Sequence, residues 1–270
     1  GNGAICITCH NSRRGLYNDA VADSIPFEDG RAPHGSAQGD VLMGQNAFFV
    51  AVGARGSHSF INDTCVNCHM ERTPPPDLLS YNQGGSNHTF FAGTGICSDC
   101  HGSSIDGQSL QAATKSELEG LIDETETAIT GFMNVVLATS ALTLTEAEDD
   151  TGATVTDIAI AMGTTVSVGH FGESHGRQAM DLTVDPGGAG EATYHVQLRR
   201  VELGVPASGN NLFAAYNEGV VILKAGWNIL LIENDGSSGV HNPSFSNGVL
   251  GAARNVVTST DFSTPTLVVP

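Results

Sequence analysis

The sequence predicts a mostly irregular and α-helical chain with few long helices and a small β-rich module inserted between them. Three observations carry that expectation. A five-residue element, C-x-x-C-H, occurs three times within residues 1–110, separated by Gly, Pro, Ser and Asn rather than by long periodic stretches. Apolar residues recur at a helical period over 114–138, over 211–233 and again after Pro243. Between these stretches, from Thr154 to Val201, the period is nearer two, as in strands.

The repeated element reads Cys6-Ile7-Thr8-Cys9-His10, Cys65-Val66-Asn67-Cys68-His69 and Cys97-Ser98-Asp99-Cys100-His101, and it uses all six cysteines. Two thiols three positions apart can each form a thioether to one vinyl group of a single porphyrin. The histidine that follows then takes an axial position on the iron. Zinc sites use C-x-x-C pairs two at a time, which would strand one of three. A thioredoxin-like motif explains one such pair, and neither alternative needs a histidine after every second cysteine. The expected cofactors are therefore three c-type haems with iron. Their thioether sites are Cys6, Cys9, Cys65, Cys68, Cys97 and Cys100, and their proximal ligands His10, His69 and His101.

Composition excludes other classes. Eleven basic against 29 acidic residues give a formal charge of −18. Binding a phosphate backbone needs clustered Lys and Arg, so no nucleic-acid partner is expected. No apolar run is long enough to span a bilayer, so no transmembrane segment is expected. The first motif begins at Cys6, which leaves no signal peptide, and the expectation is a processed chain working in the periplasm or outside the cell.

Each element follows from its local pattern. Thr73-Pro74-Pro75-Pro76 reads as a stiff extended connector. Over 114–138, Leu118, Leu121, Ile122, Thr125, Ile129, Phe132, Met133, Val136 and Leu137 form one stripe, with Thr114 and Glu117 as a capping box. Residues 146–152 read as a solvated turn, with calcium binding by its carboxylates as the alternative, although the spacing matches no EF-hand loop. Thr164–Val168, Ala179–Val184 and Thr193–Val201 read as strands, and Asp185-Pro186-Gly187-Gly188 as a turn. Residues 211–233 read as a helix with a break allowed at Gly219 or Gly226. Asn242-Pro243 reads as an N-cap followed by proline at the first helical position. The resulting organisation is a three-haem-binding region over 1–110, a scaffold helix over 111–143, a β-rich insertion over 144–206, helices carrying a histidine element over 207–258 and a β-prone tail over 259–270.

Four further stretches carry a resemblance. Cys9-His10-Asn11-Ser12-Arg13-Arg14 with Pro33-His34-Gly35-Ser36-Ala37-Gln38-Gly39-Asp40, Asn87-His88-Thr89-Phe90, and Asp235 to Pro243 with its Gly239-Val240-His241-Asn242-Pro243 core are the relevant segments. Together with the three C-x-x-C-H elements, the chain resembles the multihaem c-type cytochromes of metal-reducing bacteria, including subunits of extracellular cytochrome filaments. The likeness covers 1–110 and about 211–257 and leaves out the stretch 144–206. It implies histidine on both faces of most haems, with His34, His58, His88 and His241 as distal candidates for three irons, one more than needed. His170, His175 and His195 are read as ordinary surface or hydrogen-bonded histidines. Met43 and Met70 are weaker thioether candidates.

The functional expectation is extracytoplasmic electron transfer through three covalently bound haems with bis-histidine ligation. The chain would act as an electron carrier rather than an enzyme. The resemblance adds partners: redox proteins or extracellular electron acceptors, and copies of the chain itself in an oligomer or conductive filament. The alternative is a multihaem reductase of nitrite or hydroxylamine type with one open haem. Against it stand the absence of any C-x-x-C-K variant and the surplus of distal candidates.

Overall fold

A computed structural model describes residues 3–13, 15–21, 30–73, 85–86 and 89–268. The Pro74-Pro75-Pro76 connector and His88 lie outside the described residues. Helices of five or six residues stand along residues 4–101: α1 (Ala4–Cys9), α2 (Gln38–Met43), α3 (Cys65–His69) and α4 (Cys97–His101), of which α1, α3 and α4 hold the C-x-x-C pairs. A two-residue strand pair, β1 (Arg72–Thr73) with β2 (Gly85–Ser86), lies between α3 and α4.

The expected fold class is corrected in its main point. Three long helices, α5 (Gly107–Leu137), α7 (Asn217–Asn234) and α8 (Pro243–Ser259), pack against one another and form the core. Two antiparallel sheets totalling eight strands join them, so the chain is not a mostly irregular one with few long helices. The β-rich part of the expectation is partly consistent with these sheets.

Helix α5 buries Leu121, Thr125, Ile129, Phe132, Met133, Val136 and Leu137 on one stripe. Its start lies at Gly107, not Thr114. Asp106 is the N-cap, and its carboxylate accepts from the Gln108 N–H at 3.0 Å and the Ser109 hydroxyl at 2.5 Å. Those bonds, the Ser109 one first, hold the Asp106 carboxyl below its ordinary value. Thr114 is interior, and its hydroxyl donates to the Leu110 carbonyl.

Helix α7 is buried almost all round, from Ile222 to Ile232, as a central helix must be. The break in this region falls at Tyr216, whose extended backbone separates α6 (Leu212–Ala215) from α7. Gly219 and Gly226 are helical instead and mark close approaches. A side chain at Gly219 would run into the Phe213 backbone, and one at Gly226 into Gln178 and Phe171. The expected cap of α8 is present: Asn242 Oδ1 accepts from the Phe245 N–H and Pro243 opens the helix.

The eight strands of these two sheets lie between α5 and α6 (Leu212–Ala215). A three-stranded sheet orders β10 (Val201–Leu203), β3 (Leu142–Leu144) and β6 (Ile158–Ile160). A five-stranded sheet orders β5 (Thr154–Val155), β4 (Ala147–Glu148), β9 (Ala192–Gln197), β8 (Arg177–Val184) and β7 (Val166–Ser174). The edge strand β7 is covered by polar residues of α5 at helical spacing. Asn134 accepts from Val166 N–H and donates to its carbonyl, both at 2.9 Å; Thr130 accepts from Val168 N–H at 3.0 Å; Glu126 accepts from Phe171 N–H at 2.8 Å. A sheet edge is thus satisfied by side chains rather than left open. Buried Gln178 ties β8 to the rest, donating to the Leu223 carbonyl at 2.8 Å and the Arg31 carbonyl at 3.0 Å.

The irregular first third is docked on α7. Trp227 Nε1 donates to the Asn46 carbonyl at 2.6 Å and its ring stacks on Tyr17 at 4.2 Å. Asn228 accepts from Phe48 N–H and donates to the Phe48 carbonyl, each at 2.8 Å. The tail is also held: Asn217 N–H donates to Thr266 and Val268 N–H to Ala215, each at 2.9 Å, beside the break at Tyr216.

Candidate functional site

Each C-x-x-C-H element forms one short helix, α1, α3 or α4. The helical period brings both cysteines of an element to one face and sets its histidine at the helix end. His10 is the C-cap of α1, while His69 and His101 are the last residues of α3 and α4. The elements also meet one another. The Gly3 carbonyl accepts both the Cys6 N–H at 3.1 Å and the Cys65 thiol at 3.9 Å. Burial pushes the Cys65 thiol up, and neighbouring Cys6 adds to it; burial also pushes Cys68 up, reinforced by Cys100 and Cys97.

Two histidine pairs bring distant parts of the chain together. His58, on a single 3-10 turn over Ser57–Phe60, has its ring centroid 6.1 Å from that of His101 at an interplanar angle of 74°. His69 and His241 lie 6.1 Å apart at 40°. Three of the four Nδ1 atoms, those of His58, His69 and His241, are committed elsewhere. His58 Nδ1 bonds the Val240 carbonyl at 2.8 Å, and His69 Nδ1 the Phe90 carbonyl at 2.8 Å. His241 Nδ1 bonds buried Asp235 at 2.5 Å. His10 Nδ1 bonds Gln38 Oε1 at 3.0 Å, and Gln38 Nε2 in turn donates to the Asp235 carbonyl at 3.0 Å.

Carbonyl and carboxylate oxygens only accept, so each of these Nδ1 atoms is the donor. In the neutral ring the lone pair then resides on Nε2, the arrangement that outer partners impose on ligating histidines. One loop serves both pairs: the carbonyl of Val240 orients His58, and the next residue, His241, faces His69.

The remaining candidates are placed differently. His34 sits in the loop before α2, its Nδ1 2.9 Å from the Ser36 hydroxyl. Met43 ends α2 and Met70 caps α3 beside His69. His170 and His175 fall at positive-φ positions of the β7–β8 hairpin, and His195 pairs across strands with Asp181 at 2.9 Å.

The cofactor expectation of three c-type haems with iron is corrected by this geometry. Among the described residues, no group of three or more His, Cys, Asp or Glu side chains gathers where it could hold a metal ion, and the six cysteines are free thiols. Imidazoles meet in twos, and His10 and His34 are engaged by Gln38 and Ser36. Calcium at 146–152 meets the same finding. Asp149 there folds the turn itself, accepting from Thr151 and Ala153, and those bonds lower its carboxyl.

Sequence reasoning missed Asp235 and Gln38 as orienting groups. Asp235 lies six residues before His241, inside a stretch singled out for the histidine alone. The carbonyls of Val240 and Phe90 carry no signal in sequence, because every residue has one.

No family model, no curated protein and no solved structure matches the chain. Among the described residues, no helix is long and apolar enough to cross a membrane.

Proposed function

We propose that the chain is an extracytoplasmic electron-transfer protein whose site is the set of paired imidazoles beside the C-x-x-C-H helices. The observation that carries this reading is the oriented set of His58, His69 and His241, each with Nδ1 donated to an oxygen and its ring beside another histidine. The protein supplies orientation and field at these rings. The reading is an electron carrier rather than a reductase. The fixed rings let charge change with little movement of the chain. Asp235 adds a buried negative charge behind one ring, which favours the more oxidised, more positive state.

The location that goes with this reading is periplasmic or extracellular. Large apolar side chains in the same third of the chain stay exposed, including Ile5, Phe60, Phe90 and Phe91. Such a surface suits contact with a redox protein or with another copy, and the net charge of −18 favours cationic surfaces. The test is a visible and EPR spectrum of the oxidised protein with and without cyanide or nitrite. Signals that ignore the added ligand are expected. A centre that binds it would move the reading to the reductase class.

A further inference from the structure

The five-stranded sheet carries a cluster of polar side chains that takes no part in the imidazole pairs. The register places Glu148 of β4 and Asp181 of β8 on either side of His195 of β9. Directly opposed residues share one face, so these three stand together on the face away from buried Met180, Leu182 and Val196. Asp181 Oδ1 accepts from His195 Nδ1 at 2.9 Å, and among the described residues the other ring nitrogen has no partner.

A cavity of about 120 Å³ opens beside this row. Half-buried His195, Gln197 and Arg200 line it, together with exposed Glu146, Glu148 and His175. A two-residue turn holds His175 there: β7 and β8 pair up to Ser174 and Arg177, and His175 and Gly176 both have positive φ, 52° and 75°. Such turns favour Asn or Asp before Gly, yet here an imidazole takes that place. Gln197 is spent on the Ser174 carbonyl and on Arg199, and Arg200 Nη2 on Glu146 at 3.0 Å. The groups left for a ligand are the carboxylates, the remaining guanidinium donors and the free nitrogens of the two imidazoles.

We propose that this cavity binds one hydroxylated primary amine, of the class of an amino-sugar ring. Carboxylates and the free nitrogen of a neutral imidazole only accept, whereas a guanidinium only donates. An ammonium group beside hydroxyls matches that set: the ammonium donates to Glu148 and His195 Nε2, and a neighbouring hydroxyl accepts from Arg200. The charge balance points the same way. Arg200 and Glu146 offset each other, which leaves Glu148, with Asp181 behind His195, to attract a cation and repel a carboxylate or phosphate. A bare metal ion does not fit, because no metal-holding group gathers among the described residues. The size suits a single ring, since pockets for drug-sized ligands measure about 300–1,000 Å³.

The site lies outside the C-x-x-C-H region and does not depend on the electron-transfer reading. The test is NMR of the histidine rings in the full chain, titrated with glucosamine at neutral pH. Saturable shifts are expected at His175 and His195, with His58 and His241 unmoved. Glucose, which lacks the ammonium group, should bind about fivefold more weakly, the reach of one partly exposed charge pair. Glu148→Gln, on an exposed strand position, should weaken glucosamine by about the same factor. A glucosamine trimer separates two sources of the ligand: tighter binding than the monomer points to the end of a polymer, equal binding to the free sugar. No saturable shift with glucosamine, or glucose binding as tightly, overturns the proposal. That comparison uses the unaltered chain, so it stands whatever the variant does to the fold.

Discussion

The buried carboxylate of Asp235, 1% exposed, bonds the Nδ1 of His241 at 2.5 Å, and the His241 ring faces that of His69. His58 is oriented by a neutral carbonyl instead. The two pairs therefore sit in unequal fields.

Replacing Asp235 with Asn keeps an acceptor beside His241 and removes the charge. Loss of a nearby negative charge disfavours the oxidised state, so one redox midpoint is expected to move to more positive potential while another stays. Spectroelectrochemical titration of wild type and Asp235→Asn measures this. Equal midpoints in the two proteins would mean that Asp235 has only a structural role.

Gly239 governs both pairs through one loop. Its φ is +88°, and a side chain there would press on Thr114. Gly239→Ala should cost about 1–2 kcal/mol from the left-handed backbone alone. It should also disturb the ring nitrogen resonances of His58 and His241 together, which nitrogen-15 NMR reads residue by residue. A change at His241 with His58 untouched would show that the loop does not couple them.

The elements that were legible in the sequence are the ones set by near neighbours. The stripe of α5, the Asn242-Pro243 cap and the period-two strands need only residues a few positions apart. The true start of α5 was hidden because Gly107 to Ala113 carry little of the stripe and the cap is Asp106 rather than Thr114. On the other face of α5, Glu126, Thr130 and Asn134 close the edge of β7, a partnership that the apolar stripe does not reveal. The pairing of histidines was beyond reach for the same reason: His58 and its orienting carbonyl are 182 positions apart. The C-x-x-C-H elements marked the right helices without showing that the Cys65 thiol would meet the Gly3 carbonyl.

Asn228 is the buried clamp between α7 and the first third. Asn228→Ala leaves the Phe48 N–H and carbonyl without these partners, at an expected cost of about 2–4 kcal/mol. Denaturant unfolding checks it, and a loss below about 0.5 kcal/mol, the range of neutral surface changes, would contradict the clamp.

Asp40 titrates against the usual direction. Burial raises its carboxyl above the ordinary value, against hydrogen bonds from Ser12 and Asn46. A carboxyl raised in the fold binds its proton more readily folded than unfolded, so its contribution to stability is fully present below the unfolded value and is lost as pH rises through the folded one. Relative to Asp40→Asn, which does not titrate, wild type should gain stability as pH falls from neutrality into the carboxylate range. Paired denaturation curves across that range give the sign, and a relative loss on acidification would contradict it.

The most direct measurement of the central claim is potentiometry with optical detection on the purified full chain. Electron transfer at the paired imidazoles predicts a reversible redox response from the folded chain. A redox-silent folded chain would contradict the account.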